Sequence, residues 1–301
     1  MGGDLAAAAA IDVNDALLRG WALPQPGAEG DKEERGRVLV IAGSREMPGA
    51  LILAANAAMN AGAGKLAVAT AASVARLVAT MLPEARVIEL EESGGGGIAA
   101  GAIEQVREQV SCADAVLIGP GMQDERAVSE FTATLMTLAT DAIFVLDAAA
   151  MNVVRGSMAA KGPFTKQTIL TPHYGELAHL TDGDKEQIRS NPAQAALAAA
   201  KQWNAIVALK SAITFIAAPD GSLWRHARGN VGLATSGSGD TLAGIIAGLA
   251  ARGASMQQAA VWGVGLHARA GEKLADRSGP LGYPARNLST EVPALMADLH
   301  F

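Results

Sequence analysis

The chain has 301 residues, half of them hydrophobic and 18% charged, enough apolar side chain for a large core, so disorder of the whole is excluded. Thirty acidic against 24 basic residues give a formal charge of -6 with no basic stripe, which argues against a nucleic-acid partner. The lone Cys112 cannot form an internal disulfide and fits a reducing compartment.

The early alanine run lacks a basic flank and has Asp4 and Asp12 where a leader avoids charge. Residues 5–19 therefore read as a short surface helix, not a signal peptide. The longest later apolar run, 242–251, falls far short of the roughly 20 residues that span a bilayer. The expectation is a soluble cytoplasmic protein without membrane contact. Pro24, Pro26, Gly27 and Gly30 make 21–35 an irregular lead-in. Residues 1–34 are thus expected to precede a single domain over 35–301, since no linker or composition shift divides the rest.

Residues 38–42 form a continuous apolar run, the pattern of a strand buried on both faces. A helix over 49–63, a strand at 66–69, a helix over 73–81 and a strand at 86–90 come next. The glycine run 94–97 reads as a flexible surface loop, because no Lys, Ser or Thr follows in phosphate-cradle register. Then come a helix over 98–110, a strand at 115–118, a helix over 126–138 and strands at 143–146, 168–170, 206–209 and 213–217. The last forms a hairpin with 223–224 across Pro219-Asp220-Gly221. Long helices close the chain at 241–251, 256–276 and 289–299. This alternation predicts a mostly parallel, doubly wound sheet.

In such sheets ligands bind beyond the carboxyl ends of the strands. The residues there are Gly43-Ser44, Gly119-Pro120-Gly121, Asp147, Thr171-Pro172-His173, Lys210-Ser211 and Gly237-Ser238-Gly239-Asp240. After the last group, Leu242, Ile245, Ile246 and Leu249 make one buried helical stripe, and Gly244 and Gly248 allow close approach of a neighbour. Glycines before a helix leave its first amides free, and the helix end adds about half a positive charge, which together make an anion hole. Asp240 beside such a hole is repelled by an anion unless it acts, and as a general base it would take a proton from an attacking hydroxyl. A lone Asp at this place would read as a helix cap; within this glycine-rich run it reads as the base.

A lysine at a strand end commonly just reaches solvent. Next to an anion hole, Lys210 would instead neutralise phosphate oxygens, with Thr214 donating a hydrogen bond. His173 alone would be structural, and Glu176 would be a first-turn acid favoured by the helix dipole. Together they gain weight as ligand and magnesium-water contacts. His267, mid-helix, reads as packing. His179, His226 and His300 show no metal-ligand spacing, so zinc is not expected. Neither a P-loop nor a nucleophile elbow occurs.

Taken in order, Val38 to Ser44, Pro48-Gly49-Ala50, Gly119-Pro120-Gly121, Leu146-Asp147-Ala148, Leu170 to Glu176, Leu209-Lys210, Asn230 to Leu249 and His267 to Gly271 resemble one family. It is that of the ADP/ATP-dependent NAD(P)H-hydrate dehydratases, and the likeness extends to Val292-Pro293-Ala294-Leu295. The resemblance implies a ribokinase-like three-layer α/β/α sandwich. It also implies ADP-dependent dehydration of the S epimer of hydrated NAD(P)H (NADHX or NADPHX) to NAD(P)H, with release of AMP and phosphate. A hydroxyl at C6 of the reduced ring takes phosphate from ADP or ATP, and phosphate then leaves.

On that pattern Asp240 deprotonates the hydroxyl, while Ala50, Gly121 and His173 contact the hydrated dinucleotide. Lys210, Ser211, Ala212, Ile213 and Thr214, with Gly237, Ser238 and Gly239, hold the nucleotide. Glu176 organises a water on Mg2+. A homo-oligomer, often a tetramer, and a companion epimerase are further implications.

The sequence departs from the pattern at four places. Ala149 stands for a second aspartate, Ser211 for glycine, Tyr174 for proline, and Ser236 for the first glycine of Gly-Gly-Ser-Gly-Asp. Two other readings use the same residues. One is a small-molecule kinase for a vitamin-precursor alcohol, a thiazole or pyrimidine. The other is a nucleotide-binding sensor without turnover, for which the missing aspartate argues and Asp240 argues against.

Overall fold

The computed structural model describes residues 10–27, 32–155 and 164–300. Its strands are β1 (Ile11–Asp12), β2 (Arg37–Ile41), β3 (Lys65–Ala71), β4 (Arg86–Leu90), β5 (Ala115–Ile118), β6 (Ile143–Leu146), β7 (Thr168–Leu170), β8 (Ile206–Leu209), β9 (Thr214–Ala217) and β10 (Leu223–His226). They form one 10-stranded sheet in the order β1-β10-β9-β8-β7-β6-β5-β2-β3-β4. The block from β8 to β4 is parallel throughout, whereas β9 is antiparallel to both β8 and β10.

Alternation along each strand sorts the side chains into two cores. Val38, Val40, Ile143, Val145, Ile206 and Ala208 join one. Leu39, Ile41, Phe144, Leu146, Val207 and Leu209 join the other. Strands buried on both faces need helices on both. The first core takes in α2 (Pro48–Asn60), α3 (Ala72–Met81), α9 (Ser238–Ala251), α10 (Met256–Ser278) and α11 (Leu288–His300). The second takes in α4 (Arg107–Cys112), α5 (Glu125–Leu135), α6 (Tyr174–Thr181), α7 (Lys185–Ser190) and α8 (Pro192–Trp203). The result is the expected three-layer α/β/α sandwich.

Several expectations need correction. The helix expected over 5–19 is confined, among described residues, to α1 (Asp15–Gly20), capped by Asn14; residues 5–9 lie outside the described residues. Ile11–Asp12 instead pairs parallel with β10, and Leu18, Leu23 and the Trp21–Trp224 stack bind this segment to the core. Only half of the glycine run is open surface: Gly94 and Gly95 are exposed, whereas Gly96 and Gly97 are buried. Their carbonyls accept from Arg45 and Ser93, and a Cβ on Gly97 would lie 2.4 Å from the Gln123 carbonyl oxygen. The helix expected over 98–110 becomes a 3₁₀ turn at Ala102–Gln105 succeeded by α4, since Ile98 is taken into a bridge with Glu92 and Gly101 weakens the helical turn after it. Residues 148–154 form a 3₁₀ segment and 174–203 form α6 to α8; Glu176 stands in the first turn of α6 as expected, while α7 and α8 have no counterpart among the expected elements.

Nor is α9 buried along one stripe: every residue from Thr241 to Ala251 is buried. The helix lies between the sheet and both α2 and α10. As expected, its glycines admit a neighbour: a Cβ at Gly244 or Gly248 would stand 2.2 or 2.3 Å from the carbonyl oxygens of Ala54 and Ala58 in α2. This packing fixes where α9 begins.

Candidate active site

Gly237 precedes α9 with φ +86, in the left-handed region, and a Cβ there would meet Leu53 Cδ1 at 2.4 Å. No side chain caps the helix, so its first turn keeps its affinity for an outside anion. Asp240 is therefore not a cap; it is the third helical residue. Half-buried, it makes no hydrogen bond or ion pair among the described residues. Burial, then the nearby Asp147, push its carboxyl up to about 6 against the pull of Lys210. A carboxylate so placed takes up a proton near neutral pH, as a general base must.

Lys210 comes directly after β8, and its backbone N–H donates to the Pro172 carbonyl at 2.7 Å. A parallel bridge then sets it beside His173, so the β7–β8 pairing brings two distant motifs together. Its Nζ donates to Asp147 Oδ1 at 2.9 Å, and the Thr171 hydroxyl donates to the same oxygen at 2.6 Å. Glu176 Oε2 lies 3.9 Å from Nζ. Burial works against the lysine charge, but Asp147, Glu176 and Asp240 outweigh it and raise its pKa above the ordinary value. Lys210 stays a cation at the centre of three carboxylates.

His173 caps α6: its Nδ1 accepts from the Glu176 N–H at 3.0 Å, while Glu176 Oε2 accepts from the His173 N–H at 2.7 Å. Glu176 thus has a structural task in a reciprocal capping box.

Two cavities meet at His173. The larger, about 810 Å³, is lined by Lys210, Ser211, Ala212, Thr214, Ser238 and Gly239, and also by His226, Arg228, Asn230 and His267. The smaller, about 490 Å³, lies between residues 122–125, the segment after Asp147, and α6, and reaches Glu176 and His179. Ala50 and Gly121 come together, since a Cβ on Gly121 would lie 2.6 Å from that of Ala50. They adjoin Met122 of the smaller cavity without lining it. Ile213 is exposed and outside the larger lining, and the Thr214 hydroxyl donates to the Ser211 carbonyl at 3.2 Å.

The sequence reading gave Asp147 no role, although its position after a strand pointed to it. His267, read as packing, is buried and also shapes the site. Its Nε2 lies 3.0 Å from both the hydroxyl and the carbonyl oxygen of Ser238, at the start of α9. Burial holds its pKa down to about 4, so the ring is neutral. Buried His226 is likewise pushed down by burial. Asn230 Oδ1 accepts from Gly232 N–H and Tyr283 hydroxyl, both at 2.8 Å, while its buried Nδ2 has no hydrogen-bond partner among the described residues.

No cluster of three His, Cys, Asp or Glu among the described residues forms a metal cage. Magnesium keeps several waters and binds through one or two carboxylates plus substrate phosphates. Glu176, which lines the smaller cavity and has Oε2 3.9 Å from Lys210 Nζ, would supply one such carboxylate. No helix among the described residues is long and apolar enough to cross a membrane.

Comparison with known proteins places the chain in a family. The chain is 48% identical over 287 residues to an ADP-dependent (S)-NAD(P)H-hydrate dehydratase from Xanthomonas campestris, covering 94% of this chain and 95% of the other. It is 35% identical to a bifunctional NAD(P)H-hydrate repair enzyme from Moorella thermoacetica, of which it spans 54%. Its fold matches an ADP/ATP-dependent NAD(P)H-hydrate dehydratase from Bacillus subtilis co-crystallised with ATP and Mg2+, with TM-score 0.81, 30% identity, and 97% and 99% of the two chains covered. A ribokinase-like superfamily protein from Enterococcus faecalis matches equally well, with TM-score 0.81, 25% identity, and 96% of each chain covered. A family model for NAD(P)H-hydrate dehydratase matches residues 38–294. The uncapped start of α9, the half-buried Asp240 and Lys210 lie close together beyond the carboxyl ends of the strands, and the likeness covers residues 38–294: the chain belongs to the NAD(P)H-hydrate dehydratase family.

Proposed function

We propose that this chain performs ADP-dependent dehydration of the S epimer of hydrated NADH and NADPH. Adenine nucleotide occupies the larger cavity, with its phosphates between Lys210 and the start of α9. Ser211, Ala212 and Thr214 line the nucleotide, and Gly237, Ser238 and Gly239 present the helix end to its phosphates. The hydrated nicotinamide enters beside His173, Ala50 and Gly121. Asp240 takes the proton of the C6 hydroxyl as that oxygen bonds to the terminal phosphorus of ADP and AMP departs. Phosphate then leaves C6, the neighbouring ring carbon loses a proton, and the double bond returns. Phosphorylation turns a poor leaving group into a good one. Glu176 would hold Mg2+ through a water, and the ion would neutralise charge on the phosphates.

The observation that carries this reading is the isolated, half-buried Asp240 at the head of an uncapped helix, with Lys210 near it. A homo-oligomer, of which the tetramer is the expected form, accords with Leu77 and Met81, exposed one turn apart on α3. A companion epimerase would feed the S form. Incubation with hydrated NADH and ADP, with ATP in parallel, tests the whole: reduced-nicotinamide absorbance returns as AMP and phosphate appear. A lasting phosphorylated product would point to a small-molecule kinase, and nucleotide binding without turnover to a sensor.

A further inference from the structure

The hydroxyl oxygens of Tyr174 and Ser211 lie 2.8 Å apart. The single Ser211 hydroxyl proton goes to the Ile213 carbonyl, 2.6 Å away. Ser211 Oγ is therefore an acceptor towards its other neighbours, the Tyr174 hydroxyl and the Ile213 N–H at 3.2 Å. With the Thr214 hydroxyl donating to the Ser211 carbonyl, these bonds close residues 211–214 into a compact turn. That turn lines the larger cavity through Ser211, Ala212 and Thr214.

Tyr174 approaches from the other side. It is the first residue of α6, directly after the His173 cap, and its ring packs against the second core. The backbone bond from Lys210 to Pro172 already aligns the two segments, and the tyrosine hydroxyl ties their tips.

We propose that the Tyr174–Ser211 bridge is a positioning device that holds the nucleotide-binding turn in its ligand-ready shape, braced on the turn that carries His173. The inference rests on the nucleotide reading of the larger cavity. A turn ordered beforehand loses less freedom when the ligand arrives, so the bridge acts on nucleotide affinity and leaves the chemical step alone. Tyr174 is a positioning residue, acting through Ser211.

The test uses Tyr174→Phe in the full chain, which keeps the ring and removes the hydroxyl. Calorimetry with ADP and steady-state rates with hydrated NADH are the readouts. The Kd and KM for ADP should rise about three- to tenfold, the loss of one neutral hydrogen bond. Turnover at saturation and the KM for hydrated NADH should stay within about twofold. In a Ser211→Ala background the same Tyr174→Phe change should add nothing to the ADP Kd, because its partner is already gone. Unchanged ADP affinity in Tyr174→Phe, equal rises in both KM values, or independent, additive losses would each overturn the bridge. A natural chain that binds no ADP would instead overturn the nucleotide reading beneath it.

Discussion

The first turns of α6 and α9 place a carboxylate at the same third helical position, and the two carboxylates have opposite circumstances. Glu176 is engaged: it accepts the His173 N–H, in return for the imidazole's hold on its own amide. Asp240 comes after Gly237, a residue with no side chain to cap with, and its half-buried carboxyl has no hydrogen-bond partner among the described residues. The same register thus yields a structural acid on one helix and a chemically available one on the other. The residue before each helix makes the difference: histidine completes a box, while glycine leaves the first turn open to an anion.

Removing the available acid should give the largest effect. Asp240→Asn is expected to lower turnover by about 10²–10⁴-fold, the usual share of a general base, while ADP binding persists. Stopped assays for turnover and calorimetry for binding check it; unchanged turnover would make Asp240 as structural as Glu176. Lys210→Ala comes next. ADP affinity should fall about 10- to 100-fold, the loss of a charge-assisted contact. Binding of hydrated cofactor should fall less, and equal losses by calorimetry would remove Lys210 from the nucleotide side. The variant should also melt earlier, because buried Asp147 keeps only the Thr171 hydroxyl as a partner.

The pH dependence separates the two acids further. With its carboxyl held near 6, Asp240 should impose an acid limb on kcat/KM, a loss of about tenfold per pH unit below that value. Stability moves in the opposite sense. The unfolded chain holds this proton only below about 3.9, so between the two values the folded form binds more protons. Stability therefore falls as pH rises from about 4 through about 6, then levels off. Asp240→Asn, free of this burden, should be more stable than the natural chain above that window, by roughly 1–3 kcal/mol, and no more stable below pH 4. Melting curves at two pH values decide it.

The parts of the molecule that could be read beforehand keep to the same divide between local and distant causes. β2, β5, β6 and β8 were legible because strands buried on both faces must be apolar without interruption. The α9 start was legible because glycines and an acid stand side by side in the chain. The hold of Asp147 on Lys210 joins residues 63 apart and depends on β7 lying between β6 and β8, an order that no local pattern carries. His267 is buried in mid-helix as expected, but its contact with Ser238 joins two helices and so escapes local pattern for a related reason. The missed α8 begins with proline at its first position and ends at Asn204 in the left-handed region, signals that were present in Pro192 and Asn204.

The smallest expected effect falls on the engaged acid. Glutamine can take glutamate's place in a capping box, so Glu176→Gln should preserve the His173 turn and change stability by no more than about 0.5 kcal/mol. The substitution removes only the charge, 3.9 Å from Lys210 and open to the smaller cavity. If Glu176 also organises water on magnesium, the concentration of Mg2+ giving half-maximal rate should rise several-fold while turnover at saturating Mg2+ falls less than threefold. Titrating Mg2+ against rate in the natural chain and the variant measures this directly. A variant with an unaltered Mg2+ requirement would leave Glu176 with its capping task alone and make the contrast with Asp240 complete.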